Sequence, residues 1–209
     1  MIKKLQALKA KKGFTLVELV VVIAIIGVLA AILVPTMIGV VQDSRVTSSN
    51  TTASQIKTQA TTWLTKMDAA KKTLKGPAGS AFTVTVTVGA SGATDGNGNP
   101  DWVPSASAGT FLTGAGTAAA WDGDDVNYNF AAFMADALRD FKAGSVQLTI
   151  QNGGVIGVAV VEGDTAFDGS WPGATNWTSG EFDFGGSKAG VLADSTIMGT
   201  SPALAMGTT

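Results

Sequence analysis

The sequence contains no cysteine, no histidine and only one tyrosine among its 209 residues. These absences exclude a structural disulfide, a zinc site built from cysteine or histidine, and a histidine general base. Charged residues are also scarce, at 14%, and they are distributed unevenly. Residues 1–13 hold five lysines and no acid, whereas the rest of the chain holds nine basic and sixteen acidic residues. We therefore expect no general nucleic-acid binding, which needs clustered basic side chains.

Apolar residues are abundant, and the longest apolar run lies near the N-terminus. No residue from Leu19 to Gln42 is charged, and these 24 residues are enough to cross a hydrocarbon core of about 30 Å as a helix. The lysines before the run predict a cytoplasmic N-terminus by the positive-inside rule. An ordinary membrane anchor leaves Glu18 unexplained, because a carboxylate inside the hydrocarbon is costly. A secretory signal peptide would need a small-x-small cleavage site, of which residues 31–44 offer only a poor version.

The stretch "KKGFTLVELVVVIAIIGVLAAILVP", residues 11–35, resembles the class III leader and N-terminal helix of type IV pilins and their relatives. The resemblance implies that a membrane aspartyl peptidase cuts after Gly13 and methylates the new N-terminus, Phe14. It also implies that the carboxylate of Glu18 pairs with the N-terminal ammonium of Phe14 in a neighbouring subunit during assembly. Such pairing is physically reasonable, because opposite charges attract strongly in a low dielectric and either one alone is expensive.

Gly27 and Pro35 bracket seven residues of the apolar run, 28–34. Proline removes a backbone donor and glycine lowers helix propensity, so the pattern predicts a weak point in the helix. A simple kink, which membrane helices tolerate, is the alternative. Pilins similar to this chain lose helical structure between these positions in a filament, so the resemblance implies local melting of residues 28–34.

Beyond Gln42, apolar residues recur at alternating steps of three and four, which predicts that the helix continues in amphipathic form to about Lys75. The predicted stripe contains Val46, Ser49, Ala53, Ile56, Ala60, Trp63, Met67, Ala70 and Leu74. Residues 81–89 alternate strictly between apolar side chains and threonine, which predicts a strand. Asn152-Gly153 joins two further alternating runs and predicts a hairpin.

A short helix is predicted in "NFAAFMADALRDFKAG", and "GEFDFGG" and "AGVLAD" are candidate short edge strands. The apolar face predicted for the helix contains Phe130, Phe133, Met134, Ala137, Leu138 and Phe141. The sequence therefore predicts an α+β fold, a long N-terminal helix packed on a small antiparallel sheet. Its predicted parts are a leader (1–13), a transmembrane or filament-core helix (14–42) and a pilin-like head (43–209).

A calcium loop is possible where Asp95, Asn97, Asn99 and Asp101 place oxygen ligands at alternate positions. The segment departs from the EF-hand pattern, because Pro100 replaces the required glycine and Ala106 the bidentate glutamate. An ordinary turn is the alternative. No other cofactor is predicted. No nucleophile, phosphate-binding or metal motif occurs either, so we expect no enzymatic activity.

Four tryptophans lie among glycine, serine, aspartate and asparagine: Trp102, Trp121, Trp171 and Trp177. Exposed indole rings in such surroundings are able to stack on sugars, so one interpretation is a carbohydrate-binding surface. The alternative is that they fill the core, since tryptophans are highly buried on average. Asn50 and Asn176 lie in glycosylation sequons, matches that are accidental if the host is bacterial.

The resemblance implies a structural subunit of a type IV pilus-like filament, acting in adhesion or motility. Its expected partners are copies of itself, a prepilin peptidase, the membrane before assembly, and an inner-membrane platform with its ATPase. The precursor is expected in the cytoplasmic membrane and the polymer on the cell surface. The alternatives are a pseudopilin of a type II secretion system, supported by the calcium loop, and a minor adhesive pilin that binds polysaccharide. The missing cysteines depart from the C-terminal disulfide loop of many Gram-negative pilins.

Overall fold

The structure is a computed structural model that describes residues 13–69, 81–89, 94, 98–104, 130–163 and 167–207. The described helices are α1 (Leu16–Ala69), α2 (Phe130–Ala137) and α3 (Ala174–Ser179). The described strands are β1 (Phe82–Val88), β2 (Trp102–Pro104), β3 (Gly144–Gln151), β4 (Gly154–Glu162), β5 (Glu181–Phe182), β6 (Met198–Ser201) and β7 (Ala205–Met206). The chain divides into two compact units between Asp43 and Ser44.

The first unit carries the apolar part of α1. Its large apolar side chains, from Phe14 to Val41, are between 46% and 87% exposed. By length and composition α1 is able to cross a membrane. It runs without interruption through Gly27 and Pro35, and the hydroxyl of Thr36 donates to the carbonyl of Leu33 at 2.9 Å beside the proline. Melting of residues 28–34 in a filament stays a prediction.

The second unit begins with the amphipathic part of α1. The predicted stripe is confirmed from Ser49 to Met67, where the buried side chains are Ser49, Ala53, Ile56, Ala60, Trp63, Leu64 and Met67. Leu64 is an addition to the prediction, Val46 is only half-buried, and Ala70 and Leu74 lie outside the described residues. On the exposed side, six threonine hydroxyls donate to the carbonyl four residues earlier at 2.7–3.2 Å: Thr51, Thr52, Thr58, Thr61, Thr62 and Thr65. The predicted helix end near Lys75 lies outside the described residues.

The main sheet is antiparallel and has five strands in the order β2-β1-β3-β4-β6. The predicted strand β1 is confirmed, and it pairs with β3 so that Thr83 lies opposite Thr149. The predicted hairpin β3–β4 is confirmed as well, with positive φ angles of 52° at Asn152 and 79° at Gly153, as a type I′ turn requires. The α+β architecture of a long helix on an antiparallel sheet is therefore confirmed.

Strand β4 contains a bulge. Ile156 is the extra residue, because the register shifts between the pairs Ile150–Val155 and Thr149–Gly157. The ammonium of Lys57 on α1 donates to the carbonyl of Ile156 at 3.1 Å. Burial in this position lowers the pKa of Lys57.

One face of the sheet packs on α1 and α2 in a single apolar cluster. The rings of Trp63 on α1 and Phe130 on α2 meet edge to face, with centroids 5.1 Å apart. The predicted face of α2 is partly wrong, since Ala137 is exposed and Ala135 is buried instead. The helix ends at Ala137 and a turn follows, so the next buried side chain, that of Leu138, enters the core from the turn.

The other face of β4 is covered by the C-terminal residues 167–207. Here Trp177 on α3 packs against Gly157, and its indole Nε1 donates to the hydroxyl of Thr149 at 2.8 Å.

Strands β5 and β7 pair in parallel as a separate two-stranded sheet. The prediction for this segment is partly wrong: "GEFDFGG" supplies only the short strand β5, and "AGVLAD" supplies only isolated bridges, whereas the unpredicted β6 is the edge strand of the main sheet.

Candidate assembly site at the start of the first helix

The residues predicted to be processed lie immediately before α1. Gly13, Phe14 and Thr15 are not helical, and Phe14 is 87% exposed. A Cβ atom on Gly13 would meet no other atom within 4 Å. The peptide bond between Gly13 and Phe14 is thus in exposed, non-helical backbone, which is the kind of segment that proteases reach most easily.

Thr15 and Glu18 form a reciprocal capping box at the start of α1. The backbone amide and the hydroxyl of Thr15 donate to one carboxylate oxygen of Glu18, at 2.9 and 2.7 Å. The amide of Glu18 in turn donates to the hydroxyl oxygen of Thr15 at 3.2 Å. Its sequence signal is Thr-x-x-Glu before an apolar run, a local pattern that was not among the predictions.

The capping box gives Glu18 partners within its own chain. Its carboxylate lies in the first turn, where the positive end of the helix dipole favours a negative charge. From Phe14 to Gln42 it is the single charged side chain in the sequence. Its negative charge therefore has no ion-pair partner on this segment.

Two of the four predicted calcium ligands lie outside the described residues. Asp95 and Asn97 are not described, whereas Asn99 and Asp101 are. The backbone carbonyl of Asp101 accepts the amide of Gly89 at 2.8 Å, which joins the ends of β1 and β2. Within the described ranges, no three acidic side chains come together as a metal site. Calcium binding stays a prediction.

The tryptophans divide into two groups. Trp102 and Trp177 are only 1% and 8% exposed, so they belong to the core and sugar stacking is wrong for both. Trp171 is half-buried, and its ring meets Phe167 edge to face with centroids 4.8 Å apart. Trp121 lies outside the described residues.

Both asparagines of the sequons serve as structural amides. The oxygen of Asn50 accepts the backbone amide of Thr200 at 2.7 Å, which ties α1 to the edge strand β6. Asn176 accepts the amide of Gly173 and donates to the carbonyl of Glu181, both at 2.9 Å. The partner of Asn50 is set by tertiary packing and has no signal in the sequence, whereas the partners of Asn176 lie within five residues of it, at the two ends of α3.

A long helix with an exposed apolar half, capped by Thr15 and Glu18 and packed by its other half on an antiparallel sheet, defines a type IV pilin-like protein. Comparison with protein families agrees: residues 8–34 match the prokaryotic N-terminal methylation motif. Residues 46–205 match a domain of unknown function, DUF5021, and the chain belongs to that family.

Similarity to individual proteins covers about a quarter of this chain in the relatives described next. A fimbrial protein of Pseudomonas aeruginosa is 47% identical over 53 residues, which are 25% of this chain and 34% of that protein. A fimbrial protein of Moraxella nonliquefaciens is 46% identical over 55 residues, 26% of this chain and 36% of that protein. The matched segment thus spans about a third of the length of these relatives. No solved structure matches the chain significantly.

Proposed function

We propose that this chain is the precursor of a structural, non-enzymatic subunit of a type IV pilus-like filament. One observation carries the proposal: the large apolar side chains of α1 from Phe14 to Val41 are exposed, and the single carboxylate among them, that of Glu18, is held by Thr15 at the start of the helix. An apolar surface of this extent is unstable in water and requires either lipid tails or other apolar helices around it.

The proposed pathway starts with insertion of residues 14–42 in the cytoplasmic membrane, with the N-terminus in the cytoplasm. A prepilin peptidase then cuts after Gly13 and methylates Phe14. An inner-membrane platform and its ATPase transfer the subunit into a helical filament, and residues 43–209 form the outer surface. Because the bilayer and the filament core are both apolar surroundings, the transfer does not expose the helix to water.

Cleavage changes the electrostatics of the site. In the precursor the nitrogen of Phe14 is an uncharged amide, and Glu18 relies on its hydrogen bonds from Thr15. After cleavage, Phe14 carries an ammonium group that is able to pair with Glu18 of a neighbouring subunit. In an apolar surrounding this pair is favourable, whereas either charge alone is costly.

The variant Glu18→Gln tests charge pairing separately from helix capping. Glutamine also fits the third helical position of a capping box, so the helix start is kept while the negative charge is removed. We expect normal insertion and cleavage, measured by fractionation and N-terminal sequencing, and a loss of filaments in electron microscopy of sheared surface material. The matched control Glu181→Gln removes an exposed acid from the second unit and should assemble normally. Abundant long filaments from Glu18→Gln would refute charge pairing.

Melting of α1 in the filament is a separate part of the proposal. Residues 28–34 lie between Gly27 and Pro35, and the helix is continuous there in the isolated chain. We expect fast amide hydrogen exchange in this segment of assembled filaments, and slow exchange in the bilayer-inserted precursor. Strong protection in both states contradicts melting.

The pseudopilin alternative depends on calcium. Calcium binding at Asp95, Asn97, Asn99 and Asp101 should raise the thermal midpoint of the full chain in detergent by mass action. An unchanged midpoint at millimolar calcium removes the main argument for a pseudopilin. The adhesive alternative now depends on Trp171 and Trp121, and binding to insoluble polysaccharides tests it.

A further inference from the structure

A polar cavity of about 400 Å³ lies beside α1 in the second unit. Its walls are the first turns of this part of α1, the end of β4 and the turn before β6. The residues that line it are Arg45, Ser48, Ser49, Glu162, Ser195, Thr196 and Ile197. The fold and the proposed assembly mechanism leave this cavity without a role.

The cavity carries two opposite charges that do not neutralise each other. Arg45 forms no hydrogen bond or ion pair with any of the described residues, and it does not approach Glu162 within 4 Å. The carboxylate of Glu162 has one contact within the described chain, the hydroxyl of Thr52 at 3.5 Å. A ligand that satisfies both walls must carry an anion and a cation at once.

Hydroxyl groups complete the lining. The hydroxyl of Ser49 is buried and has no hydrogen-bond partner in the part of the chain that is described. Ser48 and Ser195 also line the cavity, whereas the hydroxyl of Thr196 already donates to Asp194 at 2.8 Å. The cavity is therefore lined by a guanidinium, by hydroxyl groups and by a carboxylate.

The position of Arg45 along the chain suggests where the ligand comes from. It follows Gln42, the last residue of the uncharged run, by three positions, about 4.5 Å of helix rise. A bilayer has roughly 5–7 Å of polar headgroup region on each side of its hydrocarbon core. Residues 14–42 rise about 44 Å as a helix against a hydrocarbon core of about 30 Å, so with this segment inserted as proposed Arg45 lies at the water-facing edge of the headgroup region.

We propose that this cavity binds the headgroup of an aminophospholipid, a phosphate diester that carries a primary ammonium. Arg45 is suited to bidentate contact with the phosphate, and Glu162 to accepting hydrogen bonds from the ammonium. A quaternary ammonium has no N–H to donate to Glu162, and a glycerol headgroup has no positive charge. This inference rests on the proposed function, because it requires the chain to be inserted in a bilayer.

The test uses the full chain in nanodiscs made of equal amounts of phosphatidylethanolamine, phosphatidylcholine and phosphatidylglycerol. Native mass spectrometry identifies the lipids that stay bound after the disc is removed. We expect phosphatidylethanolamine to be enriched about tenfold over each of the others, a discrimination of the size that one charge-assisted hydrogen bond gives. Arg45→Gln and Glu162→Gln should each abolish the enrichment, and Arg45→Lys should restore part of it.

Controls and outcomes separate this inference from the proposed function. Arg139→Gln and Glu181→Gln remove exposed charges outside the cavity and should leave the enrichment intact. Enrichment of phosphatidylglycerol that does not depend on Glu162 would overturn the inference, because attraction to Arg45 would then suffice. Equal retention of all three lipids by an inserted chain would overturn the inference alone. A chain that does not insert into the discs would contradict the proposed function itself.

Discussion

The indole of Trp177 depends on a single buried hydrogen bond, and its removal should have a measurable cost. Nε1 of Trp177 donates to the hydroxyl of Thr149 at 2.8 Å, and Thr149 is completely buried. The variant Thr149→Val keeps the shape of the side chain and removes the acceptor. The indole N–H then stays buried without a partner, which costs about 1–3 kcal/mol of the free energy of unfolding. For a unit of this size the thermal midpoint should fall by roughly 5 °C.

Intrinsic tryptophan fluorescence of the full chain in detergent is a suitable assay, because all five tryptophans follow Asp43 in the sequence. The matched control is Thr83→Val, since Thr83 lies opposite Thr149 in the register of β1 and β3 and is exposed. Its effect should stay within about 0.5 kcal/mol. A double-mutant cycle with Trp177→Phe isolates the hydrogen bond itself. The reasoning fails if Thr149→Val costs no more than Thr83→Val, or costs the same when Trp177 is already phenylalanine.

Two further predictions concern backbone contact and titration. Gly199→Ala should destabilise the second unit by about 1–3 kcal/mol, because the new methyl group would overlap the backbone carbonyl of Ser49. Gly154→Ala, where the methyl would make only an ordinary contact, is the control in the same denaturant titration, and equal midpoints would contradict the predicted overlap. Hydrogen bonds from Thr196 lower the pKa of Asp194, so its contribution to stability is complete above the ordinary pKa and is lost as the pH falls through the lowered one. Thr196→Val removes the hydroxyl hydrogen bond and keeps the one from the backbone amide, so it should raise the pKa of Asp194 part of the way towards its ordinary value in an NMR titration of the carboxyl carbon. An unchanged titration would show that the hydroxyl is not a cause.

Strict sequence patterns predicted the elements that are long and regular. The apolar stripe from Ser49 to Met67 follows from helical periodicity, and β1 follows from the alternation of Phe82–Val88. The hairpin was predictable because Asn152-Gly153 readily adopts the two positive φ angles of a type I′ turn. Each of these signals is local, and tertiary packing did not override it.

The elements that sequence patterns did not predict depend on partners far along the chain. Strand β6 has four residues, with a glycine among them, and it is a strand because β4 lies beside it and Asn50 accepts the amide of Thr200. The bulge at Ile156 has no local signal either, and Lys57 satisfies the carbonyl that it frees. At the candidate site, Gly13, Phe14 and Glu18 were predicted from a resemblance. Thr15 was not predicted, although its capping role is a local pattern, Thr-x-x-Glu at the start of an apolar helix.

The threonine hydroxyls on the exposed side of α1 have a consequence for hydration. Because each of the six donates its proton to a carbonyl of its own helix, none of them depends on water as an acceptor. When water is removed from these six hydroxyl groups, each donor keeps its hydrogen bond. The free-energy cost of burying this surface against a neighbour is therefore smaller than its number of hydroxyl groups suggests. The exposed side of the amphipathic part of α1 is thus rich in hydroxyl groups, yet these six suit it to a dry contact.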